Sequence, residues 1–473
     1  MKTIPDFISE SAFQFPDACA IDSHEHKIGY RDFARHIHIA QSFFRANGIE
    51  PGQHIALHLP PCWQFPILFF ALIKHGCVAV PINMRLPQEQ RAACLKAAQI
   101  STILSDVKLS AAARIFDIAD IFSHLPEATQ PKANPISKTH PATLIFTSGS
   151  SGNAKMVVHS AANHYYSALG SNENILLQPG DRWLVNLPLH HVGALSIFFR
   201  TMLSGATAVF GQPNQEILNT LTADKITHVS LVATQLHRLL QHFEAAKILR
   251  SMKAILVGGG PLSPTLREQA RDENLPILAT YGSTEMSSQI ATTPGGMPVD
   301  DTSGRLLPWR RMTFSDEGEI LVGGETLCLG YFEEGRIISP TNREGWFATG
   351  DIGRIHKNGG LIVRGRRDNM FISGGENIHP EEIENALLKI DQIENALVTT
   401  ISSEEFGERP VAFLQWAAGA DLQESAVRQT LRTLIAGYKI PDHFFDWPQG
   451  QSSHAMKPSR PAFKRLAQRL TTS

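Results

Sequence analysis

The chain has 473 residues, 42% of them hydrophobic and 19% charged, and its 43 basic against 45 acidic side chains give a formal net charge of -2. That length is enough to bury substantial cores and predicts more than one domain, while the balanced charge gives no overall electrostatic reason to bind nucleic acid or an anionic membrane. The five cysteines, Cys19, Cys62, Cys77, Cys94 and Cys328, follow neither a metal-ligand spacing nor a disulfide rhythm and read as thiols of a reducing compartment.

The opening segment Met1–Asp6 lacks the apolar core of a secretory signal. The greasiest stretch, Phe65–Ile73, is too short to span a bilayer before Lys74 and His75, so a cytosolic protein without membrane insertion is expected. Tyr30–Ala46 has helical periodicity, His54–His58 is strand-like, Trp63–Lys74 is helical, and Val78–Pro81 is a strand again. Gln88–Ala98 then reads as a helix and Thr102–Ser105 as a strand, followed by a polar, proline-containing connector over Pro126–His140. Strand-like runs recur at Ala142–Phe146, Trp183–Leu187, Ala206–Phe210, His228–Leu231 and Ala254–Val257. Strands alternating with helices at this spacing predict an α/β N-terminal domain of covered, mostly parallel sheets, with ligands near strand ends.

From about Glu319 the texture changes. Glu319–Val322, Gly353–Ile355 and Leu361–Arg364 are short strands separated by Gly and Asn turns, as in a small antiparallel or barrel-like part. Beyond Arg366-Arg367-Asp368 a compact tail begins: a proline-started helix at Pro380–Leu388, strands at Ala396–Thr399 and Val411–Leu414, and a helix at Glu424–Ile435. The expected organisation is an N-terminal domain over 1–367 and a small, mobile α+β C-terminal domain over 368–473.

Between Phe146 and His159 lies a loop built from Thr147, Ser148, Gly149, Ser150, Ser151, Gly152 and, at its end, Lys155. Exposed N–H groups, small hydroxyls and one ammonium suit polyphosphate oxygens, although the spacing is not that of the Walker loop. The sequence predicts that this loop follows a strand and feeds a helix at His159–Ala162. Tyr281-Gly282-Ser283-Thr284-Glu285 follows a strand and offers a hydroxyl and a carboxylate to a phosphate and Mg²⁺. Gly258, Gly259 and Gly260 follow another strand, where the absence of side chains lets a planar ring approach the backbone. Asp351, in Thr349-Gly350-Asp351, is placed to accept from vicinal ribose hydroxyls. His190-His191 has no spaced metal partners, so zinc is not expected. Each motif alone also reads as an ordinary turn, and Lys457 alone as a surface lysine.

Taken in order, these motifs resemble the adenylate-forming superfamily of acyl-CoA synthetases, luciferases and nonribosomal adenylation domains, nearly from end to end. The resemblance implies ATP, Mg²⁺ and coenzyme A (as co-substrate) with a small-molecule carboxylic acid, converted through acyl-AMP to a CoA thioester, AMP and pyrophosphate. It implies that Thr147–Lys155 cradles the triphosphate, Glu285 and Thr147 hold the metal, and Thr284 reaches the α-phosphate. Tyr281, Gly282, Asp351 and Arg366 line the nucleotide, and Gly259 and Gly260 the acyl pocket. Lys457 serves adenylation, and Asp368 is a hinge that brings Gly374 and Gly375 toward the pantetheine. His191, more than His190, is assigned to the acyl side.

Asn186–Gly193, Thr227–Leu236 and Ser287–Thr292 further resemble the o-succinylbenzoate–CoA ligase family of menaquinone synthesis. His190, Ala233 in the usual proline position, and Met456-Lys457-Pro458 in place of Gly-Lys depart from the common pattern. The same motifs also serve other aryl- or medium-chain acyl-CoA ligases and standalone modules that load a carrier protein. A homo-oligomer is compatible with the sequence, which does not specify one.

Overall fold

Nine consecutive residues, Phe65–Ile73, are buried in the helix Gln64–His75, so this helix presents no polar face at all. A helix apolar all round and too short for a membrane must lie in a core, and this one does. Phe70 packs with ring centroids 5.9 Å from Phe7, 6.1 Å from Phe33 and 5.1 Å from Phe199, tying together the helices Phe7–Gln14, Tyr30–Ala46 and Val192–Ser204. The helix ends where Gly76 takes a left-handed conformation at φ 85°, a geometry natural to glycine.

The computed structural model describes residues 2–109, 113–123, 135–147, 155–212, 215–296, 299–373, 376–403, 406–417, 423–448 and 459–472. Two large sheets enclose the aromatic core. The first has eight strands, with Pro141–Thr147, Val78–Pro81, His54–His58, Thr102–Ser105 and Arg114–Asp117 parallel in that spatial order. The second has nine, and its parallel centre runs Ile277–Ser283, Ala254–Gly258, His228–Val232, Arg182–Leu184, Thr207–Phe210 and Cys19–Ser23. A four-stranded antiparallel sheet follows, from Arg310–Phe314, Glu319–Gly324, Phe347–Ile355 and Leu361–Arg366. The smaller α+β part has a five-stranded sheet, dominated by the antiparallel pair Ile393–Ser403 and Gly407–Trp416. Pro380–Leu387 and Glu424–Leu434 pack on one face through Ile383, Leu387, Val427 and Leu431, and Arg460–Thr472 packs on the other through Phe463 and Ala467. No helix among the described residues is long and apolar enough to cross a membrane.

Up to Gly258 most predicted strands and helices fall within a residue or two of the observed ones, whereas Gly353–Ile355, Ala396–Thr399 and Val411–Leu414 are parts of the longer strands Phe347–Ile355, Ile393–Ser403 and Gly407–Trp416; two further differences are instructive. The segment from Lys155 is not yet a helix: Lys155–Ser160 returns as a strand antiparallel to Pro141–Thr147, and only then does Ser160 cap the helix Ala161–Asn174. Three of its residues, Met156-Val157-Val158, are apolar in succession, which suits a strand buried on both faces and hides the alternation expected of a half-exposed one. Trp183–Leu187 was too long a reading, since pairing stops at Leu184 and the chain turns away to His190.

A buried polar knot joins these strands. His159 Nε2 donates to the Thr284 carbonyl at 2.7 Å, and His164 Nε2 lies 2.8 Å from Thr143 Oγ1, which is 3.4 Å from His159 Nδ1. The carbonyl can only accept, so His159 carries its proton on Nε2; the chain His164→Thr143→His159→Thr284 is then consistent with two neutral rings. Burial lowers the His159 pKa to about 4 and that of His164 well below its ordinary value. A depressed folded-state pKa means that stability is full above the unfolded value near 6.5 and is lost as pH falls toward 4. Urea unfolding should therefore show a loss of roughly 2 kcal/mol from His159 alone between neutral pH and about pH 4.5. His159→Gln should flatten that slope, and an unchanged slope would contradict a neutral, buried His159.

Candidate active site

The parallel register of the second sheet decides where the functional loops emerge. Val229 pairs with Ile255 and Ile255 with Ile277, so residues after Val232, Gly258 and Ser283 leave from one edge, joined by those after Leu184. The carboxyl edge of a parallel sheet is where α/β proteins bind ligands. His190 and His191, Gly259 and Gly260, and Thr284 and Glu285 are all delivered there by three different connections.

Tyr281 and Gly282 belong to the strand Ile277–Ser283, which folds back on Ser288–Thr292 as an antiparallel hairpin with a bulge at Tyr281/Gly282. The motif alone reads as an ordinary turn after a strand, and the structure makes it part of a hairpin. A Cβ on Gly282 would lie 1.9 Å from the Ser288 carbonyl oxygen, so no other residue fits without moving the hairpin. The tip carries two consecutive non-glycine residues at positive φ, Ser287 at 53° and Ser288 at 107°. Such backbone is costly and persists only where its surroundings hold it. Here Ser287 Oγ donates to the Thr326 carbonyl and Ser167 Oγ donates to the Ser287 carbonyl.

Asp351, read from sequence as a turn residue, sits in the nine-residue strand Phe347–Ile355, opposite Arg366 on Leu361–Arg366. Tyr281 Oη donates to Asp351 Oδ2 at 2.6 Å, and Arg366 Nη1 lies 3.4 Å from Asp351 Oδ1. Burial raises the Tyr281 pKa well above its ordinary value, and the Asp351 charge adds to this, so the phenol keeps its proton and remains a donor. Burial opposes charge on Arg366, but Asp351 and Asp368 outweigh it and the pKa is raised. Arg366 also donates to the Thr349 carbonyl and pairs at 3.3 Å with Asp368 in the turn Arg367–Asn369. Gly350, at φ 75°, leaves room for that guanidinium, because a Cβ there would meet Arg366 Nη2 at 2.7 Å.

A second cluster forms around Glu285. Tyr331 Oη donates to Glu285 Oε1 at 2.9 Å, and Lys155 Nζ stands 5.0 Å above the Tyr331 ring. Thr147 and Lys155, at the two ends of the glycine- and serine-rich loop, are register partners, and Thr147 Oγ1 reaches the Lys155 carbonyl at 3.5 Å. The Tyr331 pKa is raised by burial and then by Glu285, while the positive charge of Arg366 acts the other way, which places the two clusters side by side. Tyr331 was missed from sequence; its only signal was an aromatic hydroxyl in Gly330-Tyr331-Phe332 on a short edge-side strand. Thr284 is held from behind by His159.

In the connection after Leu184, the His190 and His191 rings are 4.2 Å apart, and burial, with His191 and Arg85, lowers the His190 pKa to about 4. Arg200, also missed from sequence, is the more informative group. It is 1% exposed, it has no acidic partner among the described residues, and its Nε has no hydrogen-bond partner there either. Its guanidinium lies 5.2 Å over Trp183 and donates from Nη2 to Ser288 Oγ at 3.2 Å. Burial lowers its pKa to about 9, which still leaves it charged at neutral pH. The signal available in sequence was a lone arginine inside the otherwise apolar helix Val192–Ser204.

Ser148, Gly149, Ser150, Ser151, Gly152, Gly374, Gly375 and Lys457 lie outside the described residues. No group of three or more His, Cys, Asp or Glu side chains that could hold a metal ion occurs among the described residues. Glu285 accepts from Tyr331, whose ring lies under Lys155, the register partner of Thr147, and a hard carboxylate oxygen of this kind is a ligand type that suits Mg²⁺.

Two family models match the chain, the AMP-binding enzyme model over residues 8–332 and the AMP-binding enzyme C-terminal domain model over residues 382–448. The chain is 31% identical to the 2-succinylbenzoate–CoA ligase of Bacillus licheniformis, over 96% of this chain and 98% of that one. The o-succinylbenzoate CoA synthetase of Bacillus subtilis is 27% identical. In complex with the acyl-adenylate intermediate OSB-AMP it superposes with a TM-score of 0.87, covering 98% of this chain and 99% of that one. Its complex with ATP and magnesium ion gives 0.85, covering 97% and 99%. A double mutant bound with the product analogue OSB-NCoA gives 0.72, covering 98% of each. With both family models matched in order and a full-length relative at this identity, the chain belongs to the AMP-binding enzyme family, as an AMP-forming acyl-CoA synthetase.

Proposed function

We propose that the acid activated by this chain is o-succinylbenzoate, an aromatic dicarboxylate, and that coenzyme A is the acceptor. The observation that carries the substrate is Arg200. A guanidinium removed from water without an anionic partner is costly, and a ligand carboxylate repays that cost where a monoacid would not. Ser288 Oγ, fixed by strained backbone, shares the site with Arg200 Nη2 and offers a second polar contact. The full-length relatives of similar identity point to the same acid.

The reaction follows from charge. A free carboxylate has no usable leaving group, so its oxygen attacks the α-phosphorus of ATP; the acyl–O–P bond forms and the bond to pyrophosphate breaks. Mg²⁺, when bound, offsets the phosphate charge, with Glu285 and Thr147 placed to hold it. Lys155 faces the same phosphates, and Tyr331 orients Glu285 by donating to one of its oxygens. Asp351, held by Tyr281 and Arg366, accepts from the ribose hydroxyls. The CoA thiolate then attacks the acyl carbonyl and AMP departs.

Lys457 would bridge the carboxylate and α-phosphate as charge builds between them. The division into 1–367 and 368–473 places the hinge at Asp368, with Gly374 and Gly375 serving the second step. One relative superposing at 0.87 with its adenylate and 0.72 with its CoA product analogue is in keeping with two arrangements.

Mass spectrometry of CoA thioesters formed from a competing mixture of o-succinylbenzoate, benzoate and medium-chain acids tests the assignment. Dominant o-succinylbenzoyl-CoA is expected; preference for another acid overturns the substrate, and acyl-AMP without thioester overturns CoA as acceptor. Arg200→Ala should lower kcat/KM for the dicarboxylate by about a hundredfold, the loss typical of one partner in a buried charge pair, with little change for benzoate. Equal losses on both acids would remove Arg200 from substrate recognition.

A further inference from the structure

The strand Phe347–Ile355 is locally longer than the neighbour it pairs with, Glu319–Gly324. Leu321 pairs with Ala348 and Glu319 with Ile352, so Ile320 alone faces Thr349, Gly350 and Asp351. A bulge of this kind bends its strand and re-aims side chains, and Asp351 stands inside it. The extra N–H groups fall out of the regular ladder and, where water is excluded, need other partners. Thr349 Oγ1 accepts from the Asp351 N–H at 3.1 Å and donates to the Ile320 carbonyl at 2.8 Å. The Gly350 N–H donates to Glu319 Oε1 at 2.8 Å.

Glu319 is buried, and its own backbone is fixed by the preceding turn, where its N–H donates to Ser315 Oγ at 3.0 Å. Its second carboxylate oxygen, Oε2, accepts from Arg367 Nη1 at 2.6 Å. The consecutive residues Arg366 and Arg367 thus serve the bulge by two routes. Arg366 reaches Asp351 and the Thr349 carbonyl directly, while Arg367 holds the carboxylate that takes the Gly350 N–H. The Glu319 side chain is only 6% exposed, so its charge-assisted contacts set direction as well as distance, unlike those of a solvated surface pair.

We propose that Glu319, clamped by Arg367, is a positioning residue for nucleotide binding: it holds the Gly350 bulge and so aims the Asp351 carboxylate at the ribose hydroxyls. Both of its carboxylate oxygens are engaged within the protein, so its effect reaches the nucleotide through Asp351. The inference rests on the ribose role given to Asp351 above.

The test compares calorimetric binding of ATP and of 2′,3′-dideoxy-ATP, each with Mg²⁺, to the wild-type protein, Glu319→Ala and Glu319→Gln, with thermal unfolding recorded for each. The dideoxy nucleotide lacks both hydroxyls, so the ratio of the two dissociation constants reports the ribose contact. A general loosening of the fold would weaken both nucleotides alike and leave that ratio unmoved. Two hydrogen bonds to one carboxylate should give the wild type a preference for ATP of about a hundredfold. Glu319→Ala should cut the preference by about tenfold, the worth of about one such bond, with dideoxy-ATP binding changed by less than about twofold. Glu319→Gln keeps an oxygen for the Gly350 N–H but loses the charge facing Arg367. It should cut the preference by about threefold, and it decides the matter if Glu319→Ala does not fold. An unchanged ratio in the deciding variant would overturn the positioning role. Wild-type protein binding the two nucleotides equally would instead refute the ribose role of Asp351 on which the inference rests.

Discussion

The hydrogen bond from Tyr281 to Asp351, 2.6 Å long, is the contact on which the rest of the site depends. Tyr281 belongs to the nine-stranded sheet and Asp351 to the four-stranded one, so this bond joins two independently built layers. Once it is made, Arg366 is drawn between Asp351 and Asp368, and the same carboxylate is linked to the hinge turn. Two neighbouring contacts depend on small residues: Gly282 lets the hairpin close on Ser288, and Gly350 leaves the Arg366 guanidinium its place. A side chain at either position would disturb geometry on both sides of the Tyr281–Asp351 bond.

The electrostatic design is uneven in a way that serves the chemistry. Arg310, almost fully buried, is satisfied entirely by neutral oxygens, from Gln289, Pro308 and Ser167, and acts as a staple under the hairpin. Arg200, equally buried, keeps an unpartnered Nε and only a serine and an indole for company. The first is a finished internal structure; the second leaves a guanidinium nitrogen without a partner among the described residues, and the substrate proposal rests on that difference. His159 and His164, held neutral by burial, brace Thr284 without adding another charge beside the phosphates.

Much of this was legible in sequence because the signals were local. Short apolar runs gave most of the parallel strands, though not Cys19–Ser23 or Arg114–Asp117, and the ordered glycine, hydroxyl and carboxylate motifs gave the family. What was not legible came from pairing. The strand Lys155–Ser160 reads as a helix approach until Pro141–Thr147 is set beside it. Asp351 looks like a turn residue until Arg366 lies opposite. Tyr331 gains meaning only when its strand pairs with Lys155–Ser160 and its hydroxyl meets Glu285. Arg200 is one polar residue on an apolar helix, and only its enclosure without an anion marks it out. Residues whose role depends on a partner distant in sequence cannot be found by spacing.

The central claim is that the acid's own carboxylate oxygen is transferred to AMP as the acyl-adenylate is made and consumed. The direct measurement is a turnover of o-succinylbenzoate labelled with heavy oxygen in both carboxylates, with ATP, Mg²⁺ and coenzyme A, followed by mass analysis of the nucleotide product. The account predicts one labelled oxygen in AMP and none in pyrophosphate. Unlabelled AMP, or label appearing in inorganic phosphate beside ADP, would contradict it.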